Sequence, residues 1–282
     1  MQTKKILIIG SGFLGRRGAE TWPDAILSDK IIVSVKDVED LIDLYKPDSI
    51  LNAAGIVGKP NVDWCETHQL ETIAGNTILP IMIAEACQKM GIYLLHIGTG
   101  CIFYGYSSDP KGWKEDDPAN PSVVYTRSKY ATDLVLSTLP NVGIGRIRMP
   151  IDCISSPANL IDKLASYKRV IDVINSVTVI EDMVGVFRQL LEKQAVGIFH
   201  VTNPGSIKHK EILEMYKEIV DPNHTNEWIA EQELVTSGLA KKTRSNNILQ
   251  SGNLEKLGIT MRPVKEAVRD VLVKYAFYKL KK

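Results

Sequence analysis

A glycine-rich loop lies between the first apolar run of this chain and its first segment of helical character. The run Ile6 to Ile9 is apolar and β-branched, and it predicts a buried strand over Lys5 to Ile9. The loop that follows is Gly10-Ser11-Gly12-Phe13-Leu14-Gly15. Glycines at this spacing allow a tight turn and let a pyrophosphate approach the N-terminus of the next helix. The segment therefore predicts a dinucleotide-binding strand, turn and helix, although a glycine-rich turn without a ligand has the same spacing.

The first half of the chain repeats this alternation of strand and helix. Further strands are predicted over Ile31 to Ser34, Ser49 to Ala53, Tyr93 to Ile97 and Gly143 to Arg148. Helical periodicity predicts one helix with Asp37 as its N-cap and a longer one over Asn76 to Met90, which Gly91 ends. Such alternation is typical of a parallel sheet covered by helices. We therefore expect an α/β fold with a Rossmann-type, doubly wound parallel sheet.

The pattern becomes less regular after Pro150. Shorter helices and single strands, such as Ile198 to Thr202, are separated there by Asn-Pro-Gly and Asp-Pro-Asn turns. We therefore expect a domain change at this point, with a dinucleotide-binding domain over 1–150 and a smaller α/β domain over 151–282.

Composition and charge exclude several classes of function. Among 282 residues, 34 Lys and Arg balance 33 Asp and Glu, and no long run of one sign is present, so neither nucleic acid nor a membrane surface is an expected partner. The cysteines are far apart, without CxxC spacing, and predict free thiols rather than a metal site or disulfides: Cys65, Cys87, Cys101 and Cys153. The four-residue apolar run after Lys4-Lys5 is too short for a signal peptide, so a cytoplasmic location is expected.

The residues near the loop favour NADP over NAD. An NAD site expects an acid at the end of the second strand, about 20 residues past the loop. In this chain Lys36 precedes Asp37, and Arg16-Arg17 follow the loop. A basic lining suits the 2′-phosphate of NADP, so NADPH is the predicted cofactor. The alternative is that both arginines are solvated and that Asp37 is a helix cap or an adenine contact.

A tyrosine and a lysine four residues apart predict a site that handles protons. Tyr125 and Lys129 share one face of a helix, so the ammonium could favour ionisation of the phenol, and Thr99 could add a hydroxyl. Such a trio gives a carbonyl oxygen its proton as a nicotinamide delivers hydride. The same spacing recurs at Tyr275 to Lys279 and Tyr278 to Lys282, but only Tyr125 lies in the dinucleotide-binding half. A half-buried tyrosine and a strand-end threonine are the structural alternative.

Several short strings carry a resemblance to a known family. They are Asn52-Ala53-Ala54-Gly55, Gly58-Lys59-Pro60-Asn61-Val62-Asp63-Trp64-Cys65-Glu66, Thr99-Gly100-Cys101-Ile102-Phe103 and Arg146-Ile147-Arg148-Met149-Pro150. The chain resembles extended short-chain dehydrogenases of the dTDP-4-dehydrorhamnose reductase type. More closely, it is similar to the bifunctional 3,5-epimerase/4-reductases of nucleotide-rhamnose synthesis, familiar as the last domain of plant rhamnose synthases. One departure is the loop spacing, GxGxxG here against the usual GxxGxxG of the family.

The resemblance implies a substrate and two reactions. UDP-4-keto-6-deoxy-D-glucose would be inverted at carbons 3 and 5 and then reduced at carbon 4 by NADPH to UDP-β-L-rhamnose. It also implies a 4,6-dehydratase upstream, a homodimer, and a mainly substrate-binding role for 151–282. Cys101 would be one epimerisation residue and Lys163 its partner. From the residues alone, a cysteine at a strand end such as Cys101 is more commonly a small buried hydrophobe, and Lys163 is a solvated helix residue.

The predicted binding residues come partly from the motifs above and partly from positions that match the family. On the cofactor side, the motifs give Gly10 to Arg17, Asp37, Tyr125 and Lys129, and the matching positions give Ala53, Ala54, Gly55 and Asn76; Pro150 is also predicted on this side. On the substrate side they are Val62, Trp64, Asn175, Arg244, Asn246 and Asn247. An arginine fork suits a diphosphate, whereas an ordinary polar loop is the alternative for the last three positions.

Two other functions remain open at this point. A reductase that works after a separate epimerase would need no thiol, so Cys101 argues against it. A non-catalytic regulatory subunit of the same fold would not need Thr99, Tyr125 and Lys129. The base of the nucleotide also stays open, because uridine and thymidine differ by one methyl group.

Overall fold

The computed structural model describes residues 4–59 and 61–280, so Pro60 of the family strings and Lys282 of the third tyrosine-lysine pair lie outside it. Twelve strands are present in these ranges: β1 Ile6–Ile9, β2 Ala25–Ser28, β3 Ser49–Asn52, β4 Tyr93–Thr99, β5 Val142–Ile147, β6 Pro150–Ile151, β7 Arg169–Ile171, β8 Ile174–Asn175, β9 Thr178–Val179, β10 Gly197–His200, β11 Ile207–Lys208 and β12 Glu227–Ile229.

Eleven α-helices accompany these strands in the described ranges: α1 Phe13–Thr21, α2 Val35–Tyr45, α3 Gln69–Ile73, α4 Leu79–Lys89, α5 Val124–Leu136, α6 Leu160–Ser166, α7 Ile180–Lys193, α8 His209–Ile219, α9 Glu231–Thr236, α10 Gly252–Lys256 and α11 Val264–Leu280. Short 3₁₀ helices cover Val62–Glu66 and Gly100–Ile102, and a π-helical turn covers Ala74–Ile78. None of the described helices is long and apolar enough to cross a membrane.

The main sheet has six strands in the order β10-β5-β4-β3-β1-β2. β1 pairs in parallel with β2 and with β3, and β3 pairs in parallel with β4. Buried side chains of β1, β3, α2 and α4 share one apolar core, for example Leu7, Ile50, Leu41 and Ile83. The predicted α/β, Rossmann-type parallel sheet is therefore confirmed.

The chain divides into two compact units. Among the described residues, the first unit contains those up to 102, 118–146 and 184–199, and the second contains 103–117, 147–183 and those from 200 onward. One crossing point, between 146 and 147, lies close to the domain change expected at Pro150. The two units nevertheless alternate along the sequence, so each is made of three separate segments, whereas the prediction divided the chain once, into 1–150 and 151–282. The strand predicted over Ile198 to Thr202 is β10 at Gly197–His200, and it forms an edge of the main sheet.

The second strand is the clearest error of the sequence prediction. Ile31 to Ser34 is not a strand: Ile31 is 82% exposed and Val33 is 76% exposed. The strand is β2, whose Ala25 is in register with Ile6 of β1. Ser34, rather than Asp37, is the N-cap of α2, and Asp37 completes a capping box at the third helical position.

The helix predicted over Asn76 to Met90 is divided in two. Its first residues belong to the π-helical turn, and α4 begins only at Leu79, with Pro80 in its first turn. Gly91 adopts a φ of 66° after the end of α4, as expected for the residue that ends a helix. The π-helical turn is of interest because such turns occur frequently at functional sites.

Candidate active site

The glycine loop is tightly packed at two positions and open at the third. Gly10 has a φ of 106°, and a Cβ there would lie 2.5 Å from the backbone nitrogen of Ala54. A Cβ on Gly15 would lie 2.0 Å from the Gly10 carbonyl oxygen. At Gly12, the N-cap of α1, a Cβ would meet no atom within 4 Å, and no side chain caps the helix. The loop therefore packs against the segment that follows β3 and leaves free space at the N-terminus of α1. An anion could bind there to the backbone N–H groups of the first helical turn.

The two arginines after the loop have different surroundings. Arg16 donates from Nε to the Ser11 carbonyl oxygen at 2.8 Å, so its side chain folds back onto the loop. Arg17 forms an ion pair with Glu20 at 2.8 Å. Of the predicted pair, Arg16 is the one held at the loop.

The carboxyl end of β2 carries residues that the sequence prediction did not name. Ser28 is opposite Ile9, so Asp29 and Lys30 follow the strand where Gly10 follows β1. Asp29 is exposed, and Lys30 Nζ lies 3.1 Å from Asp37 Oδ1. Asp29 lies about 20 residues after Gly10, the first glycine of the loop, so the expected spacing would have identified it if the second strand had been placed correctly.

Lys36 and Asp37 therefore do not stand at the end of the second strand. Lys36 is on α2 and pairs with Asp40 at 2.9 Å. The Asp37 carboxylate accepts hydrogen bonds from the Ser34 hydroxyl and from the Val33 nitrogen, and with Lys30 these contacts lower its pKa to about 2. Asp37 is thus engaged in capping α2, and its predicted contact with a cofactor stays a prediction.

Asn76 clamps the loop that follows β3. Its Oδ1 accepts from the Ile56 nitrogen at 2.9 Å, and its Nδ2 donates to the Ile56 carbonyl at 2.7 Å. A Cβ on Gly55 would lie 3.1 Å from Asn76 Oδ1 and 4.0 Å from Lys129 Nζ. The segment Ala53-Ala54-Gly55 is therefore held beside Lys129, as a cofactor-lining loop requires.

The helix that carries Tyr125 is capped by a residue distant in sequence. Val123 cannot cap α5 with its side chain, and Glu66 Oε1 instead accepts from the Val124 nitrogen at 2.7 Å. Glu66 ends the 3₁₀ helix that also contains Val62 and Trp64, and the Trp64 ring stacks on His68 at 3.8 Å. Two predicted substrate residues thus lie on the element that anchors the first turn of α5.

Thr99, Cys101 and Tyr125 form one cluster at the end of β4. The Cys101 nitrogen donates to Thr99 Oγ1 at 3.2 Å. Burial raises the pKa of the Tyr125 phenol, a negative charge on Cys101 would raise it further, and a hydrogen bond with the Thr99 side chain opposes both effects. The structure therefore brings together the three residues that the sequence predicted.

Lys129 lies behind this cluster and is almost fully buried. Its Nζ donates to the Ile97 carbonyl at 2.8 Å and lies 3.2 Å from His96 Nε2. Burial lowers the pKa of Lys129 to about 8, while the nearby Asp133 opposes the effect. The expected lowering of the phenol's pKa by Lys129 is therefore not found here, because burial dominates at both side chains.

In the second unit, the predicted polar residues surround a buried arginine. Asn175 Oδ1 accepts from Arg148 Nη2 and from the Asn247 nitrogen, the latter at 2.9 Å. Asn175 Nδ2 donates to Asn246 Oδ1 at 3.1 Å, and Arg148 also donates to the Ser245 carbonyl. Sequence reasoning did not name Arg148 as a site residue. A second arginine at alternate positions of a buried strand segment was the available signal.

The remaining predicted residues are placed as follows. Arg244 is half-buried, directly before Ser245. Pro150 begins β6 and pairs with Thr178 of β9. Lys163 is half-buried on α6 of the second unit, and its predicted role stays a prediction. Among the described residues, no group of three or more His, Cys, Asp or Glu could hold a metal ion.

The main sheet and the open glycine loop define a Rossmann-type α/β protein, with Thr99, Tyr125 and Lys129 in the same compact unit as the loop. Residues 28–277 match the family model described as the RmlD substrate binding domain. The chain belongs to this family, and the expected resemblance to the dTDP-4-dehydrorhamnose reductase type is confirmed at that level.

Individual relatives agree with this assignment. The chain is 36% identical over 270 residues to a bifunctional dTDP-4-dehydrorhamnose 3,5-epimerase/dTDP-4-dehydrorhamnose reductase of Arabidopsis thaliana, covering 93% of this chain and 85% of that relative. It is 34% identical over 244 residues to a trifunctional UDP-glucose 4,6-dehydratase/UDP-4-keto-6-deoxy-D-glucose 3,5-epimerase/UDP-4-keto-L-rhamnose-reductase of the same plant; the match covers 84% of this chain but only 35% of that relative.

A solved structure agrees with the fold in nearly its whole length. The crystal structure of the L780 UDP-rhamnose synthase from Acanthamoeba polyphaga mimivirus superposes with a TM-score of 0.89 at 30% identity. The match covers 96% of this chain and 99% of that chain.

Proposed function

We propose that this chain converts UDP-4-keto-6-deoxy-D-glucose to UDP-β-L-rhamnose, by inversion at carbons 3 and 5 and then reduction at carbon 4 with NADPH. The cluster of Thr99, Cys101 and Tyr125 at the end of β4 carries the proposal, because it joins two hydroxyls and a thiol at one site. The bifunctional and trifunctional relatives and the similar UDP-rhamnose synthase structure support it.

The glycine loop fits a dinucleotide cofactor. The open position at Gly12 would admit the pyrophosphate to the backbone N–H groups at the start of α1. Arg16 at the loop and Lys30 after β2 are the cations that would favour a 2′-phosphate, which supports NADPH, whereas Asp29 opposes it. When bound, the nicotinamide supplies the hydride for the carbonyl carbon.

Tyr125 would act as the acid of the reduction. Its raised pKa keeps the phenol protonated at neutral pH, so it has a proton to give to the carbonyl oxygen. The Thr99 hydroxyl, which shares a hydrogen bond with Tyr125, would donate to the same oxygen and orient it. A protonated Lys129 would stabilise the phenolate that remains.

Cys101 would serve the inversion steps. Protons on carbons 3 and 5 are acidic because the carbonyl at carbon 4 stabilises the carbanion, so inversion needs one group that removes a proton and another that returns one to the opposite face. The Cys101 thiol lies beside the residues that would bind the carbonyl oxygen. Resemblance to the family assigns the second role to Lys163.

A product assay tests the proposal. Purified protein, NADPH and no other epimerase are supplied with UDP-linked or dTDP-linked 4-keto-6-deoxyglucose, and the sugar product is identified by NMR. A UDP-L-rhamnose product supports the proposal. No product from these substrates, together with reduction of an already inverted 4-keto sugar, would establish the reductase-only alternative. No oxidation of NADPH with any of them would favour a non-catalytic subunit.

A pair of cysteine variants sharpens this assay. Cys101→Ser should abolish formation of the L-rhamno product while still reducing an inverted 4-keto sugar. Cys153→Ser changes a buried cysteine of the second unit and serves as the matched control. Equal loss of both reactions in Cys101→Ser would mean that the thiol does not act specifically in inversion.

The proposed substrate implies two partners. A 4,6-dehydratase must supply the keto sugar, and the trifunctional relatives carry that activity in their own chain. We propose an upstream 4,6-dehydratase as the pathway partner of this chain. We also propose a homodimer, which sedimentation of the purified protein would test.

A further inference from the structure

A fully buried histidine on β4 contacts the lysine of the proposed reductase site. His96 Nε2 lies 3.2 Å from Lys129 Nζ, and His96 Nδ1 lies 3.0 Å from Asn52 Nδ2. All three side chains belong to the first unit and are nearly excluded from solvent. His96 takes no part in the reaction as proposed above, and the role inferred for it rests on that proposed function.

Asn52 determines which nitrogen of the imidazole carries the proton. The Ala54 nitrogen donates to Asn52 Oδ1 at 3.0 Å, so the oxygen of this amide is assigned by a backbone donor. Asn52 Nδ2 therefore faces His96, and because an amide nitrogen only donates, His96 Nδ1 must accept. A neutral His96 then carries its proton on Nε2, and this N–H is directed at Lys129 Nζ.

The same geometry bears on the protonation state of Lys129. An ammonium group has three donors and no lone pair, so it cannot accept a hydrogen bond from His96 Nε2–H. A neutral amine can accept this bond and still donate to the Ile97 carbonyl at 2.8 Å. The hydrogen-bond pattern is therefore satisfied when His96 and Lys129 are both neutral.

The charges around the pair also bear on this state. Asp133, one turn further along α5, favours a charged lysine, but Arg146 of β5 neutralises it through an ion pair of 2.8 Å. Tyr125 and Cys101 belong to the cluster at the end of β4, where the reaction is proposed to occur, and they carry no charge when protonated. Burial lowers the pKa of Lys129 to about 8 and the pKa of His96 well below its usual value, in agreement with a neutral pair.

We propose that His96 is a positioning residue. Its Nε2–H donates to the Lys129 amine and holds the amine against β4 in the free enzyme. This hydrogen bond sets the pH at which Lys129 becomes charged to assist Tyr125. Removing this donor lets the lysine hold its proton to higher pH. Replacing it with an acceptor strengthens the effect, because an acceptor binds the ammonium form.

An NMR measurement on the wild-type protein tests the hydrogen-bond pattern without any assay of activity. The chain has only 5 histidines, so ¹⁵N-labelled imidazole signals are few and His96 is assigned by its loss in His96→Gln. We expect a neutral Nε2–H tautomer from pH 5.5 to 8. A protonated ring, or an Nδ1–H tautomer, would overturn the inference even if the protein has no reductase activity.

A pH profile tests the consequence for catalysis. The basic limb of kcat/KM should move up by about one pH unit in His96→Gln, which offers an acceptor, and less in His96→Phe. His224→Gln, in the second unit, is the matched control and should keep the wild-type profile. An active wild type whose profile coincides with that of a folded His96→Gln variant would contradict the inference, whereas an inactive wild type would contradict the proposed function instead.

Discussion

Tyr125 differs from the other tyrosines that precede a lysine by what surrounds its hydroxyl. The Tyr125 side chain shares a hydrogen bond with Thr99, and its lysine is buried behind it. Tyr275 donates to Asp162 Oδ1 at 2.8 Å, and Tyr278 is 44% exposed. The spacing of four residues is therefore not informative by itself, and position after β4 is what distinguishes Tyr125 from the other two tyrosines.

Replacement of Tyr125 should remove the acid of the reduction. Tyr125→Phe keeps the ring but has no proton to give, so kcat for NADPH oxidation should fall by about 10²- to 10⁴-fold. Tyr278→Phe is the matched control and should keep the wild-type rate. A Tyr125→Phe variant that reduces the keto sugar at full rate would refute the assigned role.

Asp29 is the residue at the end of β2 that should oppose NADPH. Its carboxylate is exposed where the 2′-phosphate would lie, so Asp29→Asn should raise the ratio of kcat/KM for NADPH over NADH by about five- to tenfold. Asp40→Asn, on α2, removes the same charge from a position paired with Lys36 and serves as the control. An unchanged ratio in Asp29→Asn would show that this strand end does not face the adenine ribose.

At the level of elements, substitutions at two glycines of the loop should affect different properties, cofactor binding at Gly12 and stability at Gly15. Gly12 has a φ of −75° and open space at its Cβ position, so Gly12→Ala should fold normally while its methyl group obstructs the approach of the pyrophosphate. Gly15→Ala places a Cβ 2.0 Å from the Gly10 carbonyl oxygen and should destabilise the fold by about 2 kcal/mol or more. Thermal melts and fluorescence titration with NADPH measure the two effects. Wild-type affinity in Gly12→Ala would mean that no phosphate binds there.

The elements that sequence analysis placed correctly are those whose burial is decided locally. β1 is a continuous apolar run, β3 and β4 each contain adjacent buried apolar residues, and the loop after β1 has the glycines that a tight turn needs. β2 was misplaced because Ile31 and Val33 have strand propensity yet remain exposed, and pairing with β1 selects Ala25–Ser28 instead. Asn76 was named as a cofactor residue, but its clamp on Ile56 depends on a π-helical turn that periodicity does not predict.

At the level of the whole molecule, each unit buries a neutral histidine. Burial lowers the pKa of His96 in the first unit well below its usual value, and lowers the pKa of His209 in the second unit to about 4. Below pH 6.5 the unfolded chain therefore binds protons that the folded chain does not bind. The free energy of unfolding should fall as the pH decreases from 6.5 toward 4.

Urea unfolding measures this loss of stability. The titration of His209 alone should lower the free energy of unfolding by about 2 to 3 kcal/mol at pH 4.5 relative to pH 7. Most carboxylates are still ionised at pH 4.5, so their protonation contributes less to this loss. The folded His209→Gln variant should lose less stability between the two pH values than the wild type. Equal stability of the wild-type protein at pH 7 and pH 4.5 would contradict neutral burial of both histidines.

The division of the chain into units shows what a linear sequence pattern leaves out. The change of pattern at Pro150 is close to one crossing between units, but nothing in Gly197–His200 indicates that this late strand joins the first sheet. The polar group around Arg148 likewise depends on residues 27 to 97 positions apart in sequence. The motifs shared with the family identified most of these residues, but the contacts between them could be seen only in the folded structure.

The most direct test of the account is the deuterium content of the sugar product. The wild-type protein is supplied with UDP-4-keto-6-deoxy-D-glucose and NADPH in D₂O, and the product is examined by NMR. We expect UDP-L-rhamnose with solvent deuterium at carbons 3 and 5, and none of this product from Cys101→Ser. A product that retains the original protons and configuration at both carbons would contradict the claim that this chain inverts its substrate before reducing it.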